Sequence, residues 1–330
     1  MKVTLEKIEN VSMAALMRHG AAEFQASEVA RAIAVAEGYG NRICGLYYLE
    51  SYCQQLESGR VNGTVEPIVH RPRAGEVTVD ARFGFAQPAF RRGLNIAVNS
   101  ARESGIARFA VAHAHTCTSL GYFTEQIASA GLVALGFTNA SPIVAAPGGK
   151  TRVIGTNPMA FAVPDGNGGV AMQFDQSTTT VALGKITMAK AAGQSIPEGW
   201  AVDADGAPTT DPEAALGGSL VSVGGMDAGY KGWGFGLMVE ILAAGLTGST
   251  FSRDVKPLKA PEGDPHNLGQ FYIVIDPSTA PTFKDSIAAL GEAVQQDAGA
   301  RMPGQGKTPK DPVDLELKVW DQARALAGMA

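Results

Sequence analysis

Three glycines at alternate positions open the stretch that most constrains this chain, Tyr230-Lys231-Gly232-Trp233-Gly234-Phe235-Gly236, and an apolar run continues from it to Thr247. Glycine has no Cβ, so Gly232, Gly234 and Gly236 let another group come close to the backbone. Leu237, Ile241 and Ala244 recur at helical spacing, with Met238, Leu242 and Gly245 on the adjoining row. That pattern predicts a helix with a wide apolar face that has to be buried. The expectation is a glycine-rich turn that presents Lys231 at the N-terminus of a buried helix, a seat suited to an anion or nucleotide. The competing reading is a close-packed helix with an incidental lysine.

A chain of 330 residues, 45% hydrophobic and 18% charged, can bury a large core and has no composition suggestive of disorder. Its net charge of −5 gives no global attraction for nucleic acid or an anionic membrane. The first residues are followed by an amphipathic charged segment rather than an apolar signal core. No apolar run approaches the roughly 18 residues of a membrane span. Cys44, Cys53 and Cys117 form no C-x-x-C pair. Neither a disulfide framework nor a zinc site is expected, and a cytoplasmic location is.

Residues 4–17, 21–37 and 45–56 read as three helices, and Gln87-Pro88 starts a fourth that Gly105 stops. Strands are expected at 77–79, 107–112, 132–138, 153–154, 159–163, 170–174 and 271–275, and helices at 120–130, 181–192 and 283–294. Residues 194–230 read as a long connection. So many short strands without intervening helices point to an α/β protein with a mixed or antiparallel sheet and a helical N-terminal layer.

Two phosphate-loop patterns fail on inspection. Gly148-Gly149-Lys150-Thr151 ends like a Walker A loop but has Val144 where that loop needs glycine. Gly166-Asn167-Gly168-Gly169-Val170-Ala171 precedes a strand instead of following one, which makes it a hairpin turn and not a Rossmann fingerprint. His113 and His115 are expected on one face of a strand, but no third ligand stands near them, so no metal site is assigned.

The segments Gly84–Ala89, Gly131–Leu135, Gly155-Thr156-Asn157-Pro158-Met159-Ala160-Phe161, Phe174-Asp175-Gln176-Ser177-Thr178, Tyr230–Thr247 and Ile273–Pro277 together resemble the type-2 malate/L-lactate dehydrogenase family, in order along nearly the whole chain. The resemblance implies a non-Rossmann nicotinamide oxidoreductase working as a homodimer, with NADPH or NADH as cofactor. Gly84–Ala89 and Leu242–Thr247 look most like the branch that reduces Δ1-piperideine-2-carboxylate or Δ1-pyrroline-2-carboxylate to L-pipecolate or L-proline. On this reading residues 1–75 form a helical region packed with 281–330. Segments 76–120 and 225–280 form the substrate and dimer core, and 121–224 the cofactor domain.

The resemblance also implies site residues. Those for the cofactor are Thr156, Asn157, Pro158, Phe174, Asp175, Ser177, Tyr230, Lys231, Gly232, Gly304, Gln305 and Gly306, with Arg301 and Lys307 bracketing the last loop. Tyr48, Tyr52 and Thr156 are expected at the substrate. The family's Ser-His-Gly signature, followed by an arginine and a tyrosine, reads here as Ile43-Cys44-Gly45 with Tyr48 and Tyr52. Its proton-donating histidine is thus Cys44, and a second family histidine falls on Thr116, one place from His115. Cys44 is either a weak donor or a pocket wall, His115 is an alternative donor, and Asp175 is expected beside the nicotinamide.

This departure bears on the chemistry. Reducing a ketone needs a proton at the developing alkoxide, and a positioned acid is worth about 10²–10⁴-fold. A cyclic imine is basic enough to be protonated before hydride arrives, so losing the histidine harms imine reduction less. The expected substrate is therefore a small imino acid, with a 2-hydroxy or 2-oxo acid as the alternative and a catalytically silent relative as a third reading.

Overall fold

Ile106–Ala114, a nearly unbroken apolar run, forms a central strand of a seven-stranded sheet in the computed structural model, which describes residues 1–329. On one side it pairs in parallel with Glu76–Asp80, reached through helix Ala86–Ser104, the kind of crossover a parallel pair requires. On the other it pairs antiparallel with Leu268–Ile275, followed by Val133–Thr138, Met159–Pro164 and Val170–Gln176, all antiparallel. Ile68–Arg73 forms the opposite edge. The sheet is mixed and mainly antiparallel, as the short strands predict.

Phe90, Phe109, Phe123 and Tyr272 interlock on one face of this sheet, with ring centroids 4.9–6.3 Å apart. Ala110, Phe137 and Phe271 on the other face meet Val239 and Ala243. Helices Leu5–Arg18, Glu23–Gly38 and Leu49–Glu57 share a second core with Val313, Leu315, Trp320 and Ala323. The N-terminal ammonium donates to the Leu315 carbonyl at 2.7 Å. The sheet takes strands both from 76–120 and from the 121–224 segment.

Several expectations need correction. The 194–230 stretch is not a plain connection: it carries strands Ala201–Val202, Pro208–Thr209 and Ser219–Leu220 and helix Pro212–Gly217, part of a separate five-stranded sheet. Strands of two residues are too short to show alternation. The third helix starts at Leu49 instead of 45, because residues 42–48 form two 3-10 turns on either side of Gly45. Glu37 sets this geometry. Its carboxylate accepts the Leu46 N–H at 2.9 Å and fills the space that a Cβ on Gly45 would occupy.

The glycine stretch differs most. Gly232, Gly234 and Gly236 do not form a turn before a helix; they lie inside helix Gly225–Glu240, which runs on into a π-helical segment Ile241–Gly245. Nor is that helix buried all round. Tyr230 is 62% and Ile241 58% exposed, and Phe235, Leu237, Met238 and Leu246 are exposed too. A Cβ on Gly232 would lie 2.5 Å from the Val223 backbone, and one on Gly236 2.5 Å from Ile154 Cδ1, whereas Gly234 faces open space. Two of the three glycines therefore admit the protein's own chain. Among the described residues no helix is long and apolar enough to cross a membrane.

Candidate active site

Asp175 stands near the end of the Val170–Gln176 strand, opposite Ala160. One carboxylate oxygen accepts the Gly121 N–H at 2.8 Å and the Ser119 hydroxyl at 3.3 Å, which caps helix Gly121–Ser129. The side chain keeps a solvent-facing surface, with protein atoms crowded around the carboxylate. Burial pushes its carboxyl up from the ordinary value of 3.8, and the bonds to Gly121 and Ser119 offset this only in part. A cation beside the carboxylate would favour the ionised form.

The Asp175 charge is felt by Cys44 and Cys117, so both thiols lie within electrostatic reach of it. Burial first, then the carboxylate, pushes Cys44 from 9.0 up to about 12. Burial does the same to Cys117, offset in part by the nearby polar groups of Gln270 and Thr138. Tyr48 is raised by burial and then by Cys44, and its ring packs 5.6 Å from that of Tyr52. At neutral pH these groups keep their protons. A general acid works best with a pKa near the operating pH, so the Cys44 thiol is a poor one.

His113 and His115 do not share a face. His113 has a left-handed backbone, φ 51°, which breaks the strand's alternation. Its Nδ1 meets Asp80 at 2.9 Å, at a half-exposed position. His115 turns inward: it is buried, bonded to Gln55 Oε1 at 2.6 Å, and stacked on His266 with ring centroids 4.0 Å apart. Burial, then His266 and Arg60, holds it well below 6.5, so at neutral pH it is an uncharged ring behind Tyr52. Thr116 is buried as well, and its N–H points to His266 Nδ1 at 3.3 Å.

The residues expected at the cofactor fall along the Asp175 strand and its continuation. Gly304 packs against Gln173, where a Cβ would lie 2.7 Å from the Gln173 carbonyl oxygen, and the Gln173 N–H donates to Pro303 at 2.9 Å. Gln305 spends its amide oxygen on the Met302 N–H at 3.1 Å, while Gly306 faces open space. Phe174 pairs with Phe161 across the hairpin. Further on, Thr178 donates twice to the Thr156 carbonyl, Val223 donates to Thr178, and Gly232 donates to Val223. That chain of bonds brings Thr156, Ser177, Tyr230, Lys231 and Gly232 to one locality. Pro158 accepts the Thr138 N–H at the base of the same loop.

Asn157 is different. It is wholly buried, and its amide donates to the Gly236 carbonyl at 3.0 Å and the Glu240 carboxylate at 2.6 Å. It fastens the Thr156 loop to the glycine helix from within.

Sequence reading missed the polar floor around Cys117. Gln87 donates to its carbonyl at 3.3 Å, and Gln270 approaches its thiol. The Gln87 Oε1, the Gln270 amide and the hydroxyls of Tyr52 and Tyr272 are buried with no hydrogen-bond partner. Thr118 stands beside the Tyr52 hydroxyl without bonding geometry. Unpaired buried groups are costly, and these atoms are themselves closed off from solvent. Gln87 alone had a signal, inside the Gly84–Ala89 segment. Gly234 and Gly306 face open space, and Lys231 is exposed on the helix.

The sheet is mixed and not the parallel Rossmann arrangement, and the class of protein, an NAD(P)-dependent oxidoreductase, follows from its family. The malate/L-lactate dehydrogenase family matches residues 3–312, and the chain belongs to that family. It is 39% identical to a (2R)-3-sulfolactate dehydrogenase (NADP(+)) of Chromohalobacter salexigens, over 98% of each chain. It is 38% identical to a Δ1-pyrroline-2-carboxylate/Δ1-piperideine-2-carboxylate reductase of Pseudomonas putida, over 99% of this chain and 96% of the relative. The Δ1-piperideine-2-carboxylate reductase structure from Pseudomonas syringae shares the fold at a TM-score of 0.85 and 30% identity, each chain being covered to 99%.

Proposed function

We propose that this protein reduces the C=N bond of Δ1-piperideine-2-carboxylate or Δ1-pyrroline-2-carboxylate with NADPH. The observation that carries the reading is the set of groups around Asp175: Cys44 and Cys117 feel its charge, Tyr48 and Tyr52 lie next to those thiols, all four keep their protons, and the histidines behind Tyr52, His115 and His266, are buried and uncharged. Such a pocket has no acid suited to protonating an alkoxide. A protonated imine brings its own proton, and the Asp175 carboxylate can hold that iminium by charge. The nicotinamide supplies the hydride when bound. Cys44 then serves as a wall that keeps water away, and Tyr52 offers its unpaired hydroxyl to the substrate.

Relatives named for pyrroline- and piperideine-2-carboxylate reduction support this choice, and the NADP(+) of the sulfolactate relative's name supports NADPH over NADH. The same 39% relative supports a second reading, a 2-hydroxy-acid dehydrogenase with another proton donor. The exposed face of the glycine helix, with Tyr230, Phe235, Ile241 and Leu246, is read as a homodimer contact, since contiguous apolar surface usually marks an interface. A cytoplasmic location fits three free thiols, as a reducing compartment keeps them.

The test is NAD(P)H consumption with the two cyclic imino acids against pyruvate and oxaloacetate. Faster turnover of the oxo acids overturns the imine reading. Failure of both NADPH and NADH to bind, followed by fluorescence, would instead leave a silent relative.

A further inference from the structure

Each substrate considered above carries a carboxylate beside its reducible carbon, yet the groups gathered around Asp175 are neutral or anionic. Tyr48 adds to the deficit, because it stands where the family pattern has an arginine. Burying a substrate carboxylate in such a pocket is costly unless a cation meets it.

One cation reaches this wall. Lys259 Nζ lies 3.2 Å from the ring centroid of Tyr47 and 4.5 Å from that of Tyr48, whose ring also packs on Tyr52. Among the described residues no carboxylate pairs with it. The aromatic faces hold the ammonium by cation–π attraction without using its three N–H donors.

The segment that delivers Lys259 is fastened on both sides of it. Gln55 Nε2 donates to the carbonyls of Leu258 at 2.9 Å and Ala260 at 2.7 Å, the residues immediately before and after the lysine. Ser58 Oγ donates to Pro261 at 2.6 Å. The buried Arg60 guanidinium adds bonds to Pro257 and Asp264, each at 3.0 Å. An exposed lysine on a free loop would have no fixed position; this one rides on a backbone pinned to the helix that carries Tyr52.

We propose that Lys259 binds the substrate's 2-carboxylate, held over the Tyr47–Tyr48 wall by the Gln55, Ser58 and Arg60 anchors. This rests on the preceding reading only in taking a 2-carboxylate as substrate, whether imino or oxo acid. Lys259 therefore stands or falls separately from the choice between them.

The experiment is calorimetric binding of two non-reacting carboxylates, pyrrole-2-carboxylate and oxamate, to the NADPH-loaded protein, comparing wild type, Lys259→Met and Lys259→Arg. Lys259→Met is expected to weaken whichever carboxylate the wild type binds by roughly 10- to 100-fold, the usual weight of a charged hydrogen bond. NADPH affinity should stay unchanged, Lys259→Arg should recover most of the loss, and in turnover KM should rise while kcat holds. Equal carboxylate affinity in wild type and Lys259→Met overturns the assignment. So does a parallel loss of NADPH binding, or a wild-type protein that binds NADPH but neither carboxylate.

Discussion

Replacing the three helix glycines one at a time by alanine should give three different outcomes, although they are spaced two residues apart in one helix. Alanine in a helix interior is favoured over glycine by about 0.5–1 kcal/mol, and that gain applies at all three positions. At Gly232 the new methyl would lie 2.5 Å from both the N and the O of Val223. That backbone cannot retreat cheaply: Val223 donates to Thr178 at 2.9 Å and accepts from Gly232 at 3.0 Å. Overpacking costs about 1–3 kcal/mol and a strained hydrogen bond about 1 more, so Gly232→Ala should lose about 2 kcal/mol net. At Gly236 the obstacle is Ile154 Cδ1, the mobile end of a side chain, and the cost should roughly cancel the gain. At Gly234 nothing lies within 4 Å, so the alanine should stabilise the chain. Urea unfolding of each variant, with sedimentation to confirm the same assembly state, gives the order. Equal stability of Gly232→Ala and Gly234→Ala would refute the claim that the protein's own backbone fills the first site.

Asn157→Ala should destabilise the fold by about 2 kcal/mol, since it strips a hydrogen bond from the buried Glu240 carboxylate and puts alanine at φ 38°; a thermal melt reads the loss. Asp175→Asn should keep the cap on Gly121, because an amide oxygen still accepts, yet lower imine kcat/KM by roughly 10²-fold or more with NADPH affinity intact. Unchanged kcat/KM would remove Asp175 from the chemistry. The buried thiols make stability fall in alkali. Cys117 is raised from 9.0 to about 12, so the folded state holds its proton more tightly than the unfolded chain. The contribution is complete below pH 9 and declines as pH rises from 9 towards 12. Unfolding free energies from urea titrations at pH 8 and pH 10 should differ by about 1 kcal/mol for this thiol, and Cys117→Ala should remove that part of the slope.

Much of the fold was legible because its cues are local. Gly105 adopts φ 77° at the end of helix Ala86–Ser104, where the sequence reading stops that helix. Asp165 takes the N–H groups of Asn167 and Gly169, at 2.6 and 2.9 Å, in the hairpin turn that the false Rossmann pattern resembles. The edge strand Ile68–Arg73 escaped notice because His70, Arg71, Pro72 and Arg73 are tolerated where one side of a strand meets water.

What the sequence determined by itself was an α/β protein with a mixed or antiparallel sheet, together with a likeness to a nicotinamide oxidoreductase family in which Cys44 stands at the usual donor histidine. The first depends on short-range periodicity and turn residues, the second on a resemblance carried by segments spread along the chain. Tertiary structure alone decided that His115 faces Gln55 and not Asp175, that Asn157 serves Glu240, and that Gly232 makes room for Val223. It also brought Lys259 to Tyr47 and Tyr48 from more than 200 residues away in the chain. Each of these turns on where a side chain points once distant segments pack. A left-handed residue such as His113 redirects the positions after it, and no spacing rule reports that in advance.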